Sequence, residues 1–179
     1  MNNDEILKKL NNLKYFVLDV DGTMTDSGIY FDDSGREIKR FSSRDYVGAM
    51  AAHYIGIKLI VVTGRESKVT TRRMEEMMID YVFQRVKDKR QFLLDFMKDN
   101  QLETGQLGYL GDDLNDYAAM SLAGFKACPA DSAVEIKNIC DYISECNGGM
   151  GVVQDTFRFV LETIGKWDSF IKDVVVYGY

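Results

Sequence analysis

Three short apolar runs, Phe16-Val17-Leu18, Ile57 to Val62 and Leu107 to Leu110, each break at a polar residue close to a glycine, and amphipathic segments separate them. No other feature limits the possible folds as tightly. Runs of this length between helical patterns read as buried strands of a parallel sheet with helices on both faces. In an open α/β sheet the carboxyl ends of the strands share one edge, and ligands bind along it. The polar residues that close the runs are Asp19 and Asp21, Thr63, and Asp112. Topology alone therefore gathers them. The expected fold is α/β: a doubly wound, mainly parallel sheet, as one domain over residues 1–179, with 46% hydrophobic residues to fill a single core.

The remaining pattern fits that frame. An amphipathic helix over Met1–Leu13 leads in, and Asp45–Tyr54 reads as a helix stopped by Gly56. A helix from Ser67 to Met78 turns Val69, Met74, Met77 and Met78 inward, a weak strand follows at Tyr81–Phe83, and Lys87, Lys89 and Arg90 open another helix. After Leu110 the spacing predicts helix at Tyr117–Ala123, strand at Phe125–Ala127, helix at Ala133–Cys140, strand at Tyr142-Ile143 and an amphipathic helix through Phe157 to Ile164. Ile29 to Phe41 reads as a β-hairpin around Asp32-Asp33-Ser34-Gly35, inserted directly after the acidic stretch. It is either a lid or contact surface beside the site, or a plain surface hairpin.

Composition excludes several classes. A net charge of -6 and a pI near 4.9 argue against an electrostatic grip on nucleic acid or an anionic membrane, and no run is long enough to span a bilayer. The only histidine is His53, and Cys128, Cys140 and Cys146 lack zinc-ligand spacing. With an odd cysteine count and no signal-peptide pattern, the expected location is the reducing cytoplasm.

Asp19 lies at the end of a buried run, where a charge is costly without a partner. Asp19 and Asp21 are two apart, so a regular strand would point both to one face, and a hard divalent cation would relieve their repulsion. With Asp112-Asp113 they can supply two or three oxygens to Mg²⁺, leaving room for water and a phosphate oxygen. Thr63 and Lys89 suit the other phosphate oxygens. A carboxylate facing a phosphorus held in this way can attack it while a second acid protonates the leaving oxygen. A phosphate monoester is the substrate class this set suits. A P-loop nucleotidase is unsupported, since no GxxxxGK[ST] occurs. A signalling receiver domain would carry its phospho-acceptor on a middle strand rather than the first. A non-catalytic module that kept the fold would be expected to lose Asp19, Asp21 or Lys89.

Asp19-Val20-Asp21-Gly22-Thr23, Thr63-Gly64-Arg65, Lys89 and Gly111-Asp112-Asp113 resemble, in order and spacing, the four motifs of the haloacid dehalogenase (HAD) superfamily. The resemblance implies that Asp19 is the nucleophile, Asp21 the general acid/base, and Thr63 and Lys89 the phosphate stabilisers. It also implies Mg²⁺ held by Asp19, Asp112 and the Asp21 backbone carbonyl, with Asp113 supporting that shell. Thr25-Asp26, the hairpin, Arg44-Asp45, Arg73, Gln84 and Gly148-Gly149-Met150-Gly151 narrow it to capless members acting on sugar-acid phosphates. By that likeness the substrate is 3-deoxy-D-manno-octulosonate (KDO) 8-phosphate or a sialic-acid-type nonulosonate 9-phosphate, and the contact set is Ser42, Ser43, Arg44, Asp45, Tyr46, Arg65, Arg73 and Lys89, with Asp21. It further implies a homotetramer assembled through the 29–41 hairpin, and a C-terminal tail from Gly165 to Tyr179 that either reaches a neighbouring site or packs on its own subunit. The chain departs from the family pattern at Tyr46, Met50 and Gln154-Asp155, where glycine, arginine and Arg-Glu are usual, and lost arginines are lost carboxylate contacts.

Overall fold

In the computed structural model, which describes residues 3–176, one six-stranded sheet organises the chain. Helix α1 (Asn3–Asn11) leads into strand β1 (Tyr15–Leu18); the hairpin strands β2 (Tyr30–Phe31) and β3 (Glu37–Ile38) follow, then α2 (Asp45–Tyr54) and β4 (Lys58–Val62). The chain continues through α3 (Lys68–Glu76), β5 (Tyr81–Phe83), α4 (Lys89–Asp99), β6 (Leu107–Leu110) and α5 (Leu114–Met120). It closes with β7 (Phe125–Cys128), α6 (Val134–Ile139), β8 (Tyr142–Ile143), α7 (Val152–Thr163), a short α8 (Trp167–Phe170) and a π-helical turn, Ile171–Val176. None of these helices is long and apolar enough to cross a membrane.

Strand order is β5-β4-β1-β6-β7-β8, every pair parallel. Alternation along each strand sends side chains to two cores. Phe16, Leu18, Leu59, Val61 and Phe125 pack with α2, α3 and α7, whereas Val17, Ile60, Val62 and Tyr109 pack with α4, α5 and α6. The strands are therefore buried on both faces, which is why they read as continuous apolar runs. Winding proceeds from β1 outward through β4 to β5, then crosses to β6 and runs the other way. The reversal falls between β1 and β6, and the residues that follow these two strands carry Asp19 and Asp112.

Helices α2 and α7 meet closely because Gly48 offers no side chain: a Cβ there would lie 2.6 Å from Gln154 N and from Val153 C. Asp45 clamps the same contact. Its buried Oδ1 accepts hydrogen bonds from the Val153 and Gln154 amides at the start of α7, at 3.0 and 3.4 Å. Burial pushes this carboxyl up to about 6, against those bonds and the Arg73 charge, which pull it down.

Several boundaries differ from expectation. Strand β1 stops at Leu18; Asp19 follows it with its amide still donating to Leu110 O, whereas Asp21 begins a turn in which the Met24 and Thr25 amides both donate to Val20 O, so the two acids do not share a regular strand face. Helix α5 begins at Leu114, not Tyr117, because the Asp113 carboxylate accepts from the Leu114 amide and caps it. Met78 is 49% exposed at φ +55°, outside the core: α3 ends at Glu76 and the chain turns back through Ile79 N donating to Met74 O. The tail is helical. Phe170 and Val174 are buried in this subunit's own core, and the Tyr54 hydroxyl donates to Asp173 at 2.8 Å. Met1, Asn2 and the final residues Tyr177 to Tyr179 lie outside the described residues, and with them the start of the expected first helix and the tip of the tail.

Candidate active site

The turn after β1 is built for close approach. Gly22 adopts φ +96°, and a Cβ on it would lie 2.0 Å from Asp112 Oδ2, so only glycine lets the turn sit against the loop after β6. Thr25 Oγ1 accepts from the Gly22 amide at 3.2 Å, and Thr23 Oγ1 donates to Asp112 Oδ1 at 2.9 Å. Two loops far apart in sequence are thereby locked together.

Asp19 is 2% exposed. Its Oδ1 accepts from Lys89 Nζ at 2.6 Å, and the same ammonium donates to Asp116 Oδ1 at 2.7 Å. Lys89 is the first residue of α4, itself buried. Asp116 is fully buried one turn into α5, where it also accepts from Tyr109 Oη at 2.7 Å and from the Asp112 amide at 3.2 Å. The expected helix start at Tyr117 leaves Asp116 in the preceding loop and without a role. The usable signal was spacing, since a helix capped by Asp113 brings Asp116 back over Asp112.

Oxygens of Asp19, Asp112 and Asp116 all lie within 4.8 Å of one another. Three carboxylates against one ammonium leave two negative charges in a buried space. Burial, then Asp116 and Asp112, push the Asp19 carboxyl up to about 8 despite Lys89. Burial and the neighbouring Asp116 and Asp113 charges push Asp112 up to about 7, with the Thr23 hydrogen bond opposing. Lys89 is held above its usual value by Asp19 and Asp116, which outweigh its burial, and burial together with Asp116 raises Tyr109 further. A compact, all-oxygen, over-charged donor set is what a hard divalent cation such as Mg²⁺ requires. Soft ligands are missing from the cluster. The residues fit the metal that their pattern implies.

The other expected site residues divide. Thr63 is buried where β4 ends, its amide donating to Phe83 O and its carbonyl accepting from the Val86 amide. Asp21 lies outside the ion-sized cluster of side chains, and its Oδ1 pairs with Lys39 from the hairpin. Asp113 is exposed and turned to its own helix. Arg65 donates to Glu37 Oε1 at 2.6 Å, and Arg73 donates to Ser42 O at 2.9 Å. Ser43 and Arg73 line one surface hollow with Lys39, whereas Arg44 lines another with Met150 and Trp167. Asp45 is committed to α7 and Tyr46 packs against the core.

Comparison with known proteins agrees with this geometry. The family model of haloacid dehalogenase-like hydrolases matches residues 66–155. A 3-deoxy-D-manno-octulosonate 8-phosphate phosphatase from Haemophilus influenzae is 31% identical over 163 residues, 91% of each chain. That of Escherichia coli K12 is 29% identical over 165 residues, 92% of this chain and 88% of the other. Among solved structures, the phosphatase of the same name from Moraxella catarrhalis, in complex with magnesium, phosphate and KDO, matches with a TM-score of 0.89 at 33% identity. The match covers 94% of this chain and 97% of that one.

Proposed function

This chain belongs to the haloacid dehalogenase-like hydrolase family and is a phosphoric monoester hydrolase, and we propose that it releases phosphate from KDO 8-phosphate through a covalent phosphate on Asp19, with Mg²⁺ as cofactor. One observation carries the reading: Asp19 after β1 and Asp112 and Asp116 at the start of α5 converge within 4.8 Å, with the buried Lys89 bridging Asp19 and Asp116.

Asp19 Oδ attacks phosphorus, the bond to the leaving oxygen breaks, and Asp21 gives that oxygen its proton. In the second half Asp21 takes a proton from water, which attacks the phosphorylated Asp19 and frees inorganic phosphate. Lys89 neutralises charge on Asp19 and on the phosphoryl oxygens, and the Thr63 hydroxyl donates to one of them. Asp116 holds Lys89 in place, and Thr23 holds Asp112. Mg²⁺, held by Asp19, Asp112 and the Asp21 backbone carbonyl beside Asp116, would supply charge stabilisation and an oriented phosphate. Ser42, Ser43, Arg44, Tyr46, Arg65 and Arg73 are proposed contacts for the sugar acid, and Asp45, also in that proposed set, accepts from the Val153 amide of α7.

A sialic-acid-type 9-phosphate is the second reading. Its support is Tyr46, Met50 and Gln154-Asp155 in place of the usual residues; Asp155 is occupied by Tyr142 and Ser144 hydroxyls, at 2.7 and 2.5 Å. Exposed Ile29, Tyr30, Phe31 and Ile38 on the hairpin support the homotetramer. Light scattering showing an active monomer would remove that part.

A phosphate-release screen of KDO 8-phosphate and a nonulosonate 9-phosphate, with hexose phosphates as controls, tests the reading and its non-catalytic rival together. Chelation should abolish turnover, and Asp19→Asn should lower kcat by at least ~10³, about 4 kcal/mol of barrier. Turnover that survives chelation would contradict the assignment.

A further inference from the structure

Lys39 has no part in the chemistry described so far, yet it is placed as though it had one. It follows β3 on the hairpin, its side chain is 3% exposed, and its ammonium pairs with Asp21 Oδ1. Its neighbours Arg36 and Arg40 leave the same hairpin with side chains 82% and 52% exposed. A buried ammonium gives up hydration and persists only where partners replace the lost water. Here the second partner is Glu37, whose Oε1 lies 3.9 Å from Lys39 Nζ. That same oxygen accepts from Arg65 Nη2 at 2.6 Å, and Arg65 directly follows Thr63-Gly64. Arg65, Glu37, Lys39 and Asp21 thus form a chain of alternating charge. It joins the loop after β4, the hairpin and the turn after β1 within one subunit.

The other oxygen of the same carboxyl completes the picture. Asp21 Oδ2 is buried and has no hydrogen-bond partner. A carboxyl group turns about its last torsion with a broad, two-fold preference and can present either oxygen. Once Oδ1 is gripped, that freedom is gone. Resting on the reading of Asp21 as the acid–base, we infer that Lys39 is a positioning residue: its grip on Oδ1, with the packing that buries Oδ2, fixes the Asp21 carboxyl, whose side chain is 32% exposed, for proton exchange with the leaving oxygen. When the bond from phosphorus to that oxygen breaks, its electron pair stays on the oxygen and the Asp21 carboxyl proton moves to it. In the second half the Asp21 carboxylate takes a proton from the attacking water. Proton transfer needs heavy atoms about 2.6–3.2 Å apart, so a wandering carboxyl loses rate without losing its chemistry. The hairpin is therefore a working part of its own subunit's site, whatever else it touches.

The test uses the full chain and two leaving groups. A sugar alkoxide needs a proton to leave, whereas p-nitrophenolate does not. Lys39→Met keeps the buried stem and removes the charge. It should lower kcat/KM for the sugar-acid phosphate by roughly 10–10²-fold and for p-nitrophenyl phosphate by less than about threefold, and Lys39→Arg should recover most of the loss. Equal losses on both substrates, or no loss, would overturn the inference. If Lys39→Met melts below the assay temperature, Glu37→Gln, which frees the ammonium from its second partner, should show a smaller loss with the same bias; equal losses would again overturn it. Asp21→Asn is measured beside them. A bias lacking in Asp21→Asn removes the acid–base reading itself, whereas a bias in Asp21→Asn but not in Lys39→Met removes only the role of Lys39.

Discussion

Lys89→Met is the most searching perturbation of the site, because one side chain neutralises two buried acids. The ammonium makes two charge-assisted bonds, 2.6 Å to Asp19 and 2.7 Å to Asp116, with side-chain exposures of 4% for the lysine and 3% and 0% for its partners. Each such bond contributes about 1.5–3 kcal/mol. With the lysine gone, Asp19 and Asp116 face one another within 4.8 Å, and at an effective dielectric near 20 two ionised carboxylates at that separation repel by about 3.5 kcal/mol. Protonation limits this repulsion, since Asp19 already titrates near 8 with the lysine present. The two bonds alone give about 3–6 kcal/mol; because protonation removes most of the repulsion, the expected loss stays at about 3–5 kcal/mol, the range for breaking a buried pair. For a chain of this size that lowers the melting temperature by roughly 6–20 °C. Methionine matches the stem, so no cavity contributes. Melting followed by circular dichroism from acid to alkaline pH should show the deficit widening as pH rises, because the unneutralised acids must then ionise. Phosphate release should fall with it. A variant melting within about 2 °C of the parent at neutral pH would refute the reasoning.

Two further outcomes follow from the same geometry. Asp19 and Asp112 bind protons in the fold up to about 8 and 7, against an ordinary value of 3.8, so the metal-free fold holds more protons than the unfolded chain and its stability should fall as pH rises from about 4 to about 8. Mg²⁺ binding near neutral pH should accordingly release protons, seen as a dependence of calorimetric heat on buffer ionisation enthalpy; heats independent of buffer would contradict this. Gly48→Ala should destabilise by about 1–3 kcal/mol in urea titration, since the overlap with α7 outweighs the gain in helix propensity, and a more stable variant would contradict the packing argument.

Much of this arrangement was legible from residue order, for identifiable reasons. Strands buried on both faces leave uninterrupted apolar runs, so β5 and β6 fall where the pattern put them, and α2 spans Asp45–Tyr54 as its periodicity requires. Asp19, Lys89 and Asp112 meet because the carboxyl ends of a parallel sheet share an edge. What stayed hidden depended on single side chains. The Asp113 cap moves the start of α5 and thereby turns Asp116 inward. Thr23 orients Asp112 across 89 residues of sequence, and no local pattern encodes that. The resemblance puts Asp45 in the substrate-contact set, and its hydrogen-bond partners, amides at the start of α7, are ones only the tertiary fold supplies. The Val174-Val175-Val176 run favours strand by propensity, yet packing of Phe170 and Val174 on the core keeps the segment helical.

The covalent phosphate on Asp19 is the central claim, and the stereochemistry at phosphorus tests it most directly. A substrate ester whose phosphorus has been made chiral with sulfur and oxygen isotopes is hydrolysed in isotopically labelled water. Transfer first to Asp19 and then to water is two in-line displacements, so retention of configuration is predicted; inversion would mean that water attacks the substrate directly and that Asp19 is not the nucleophile.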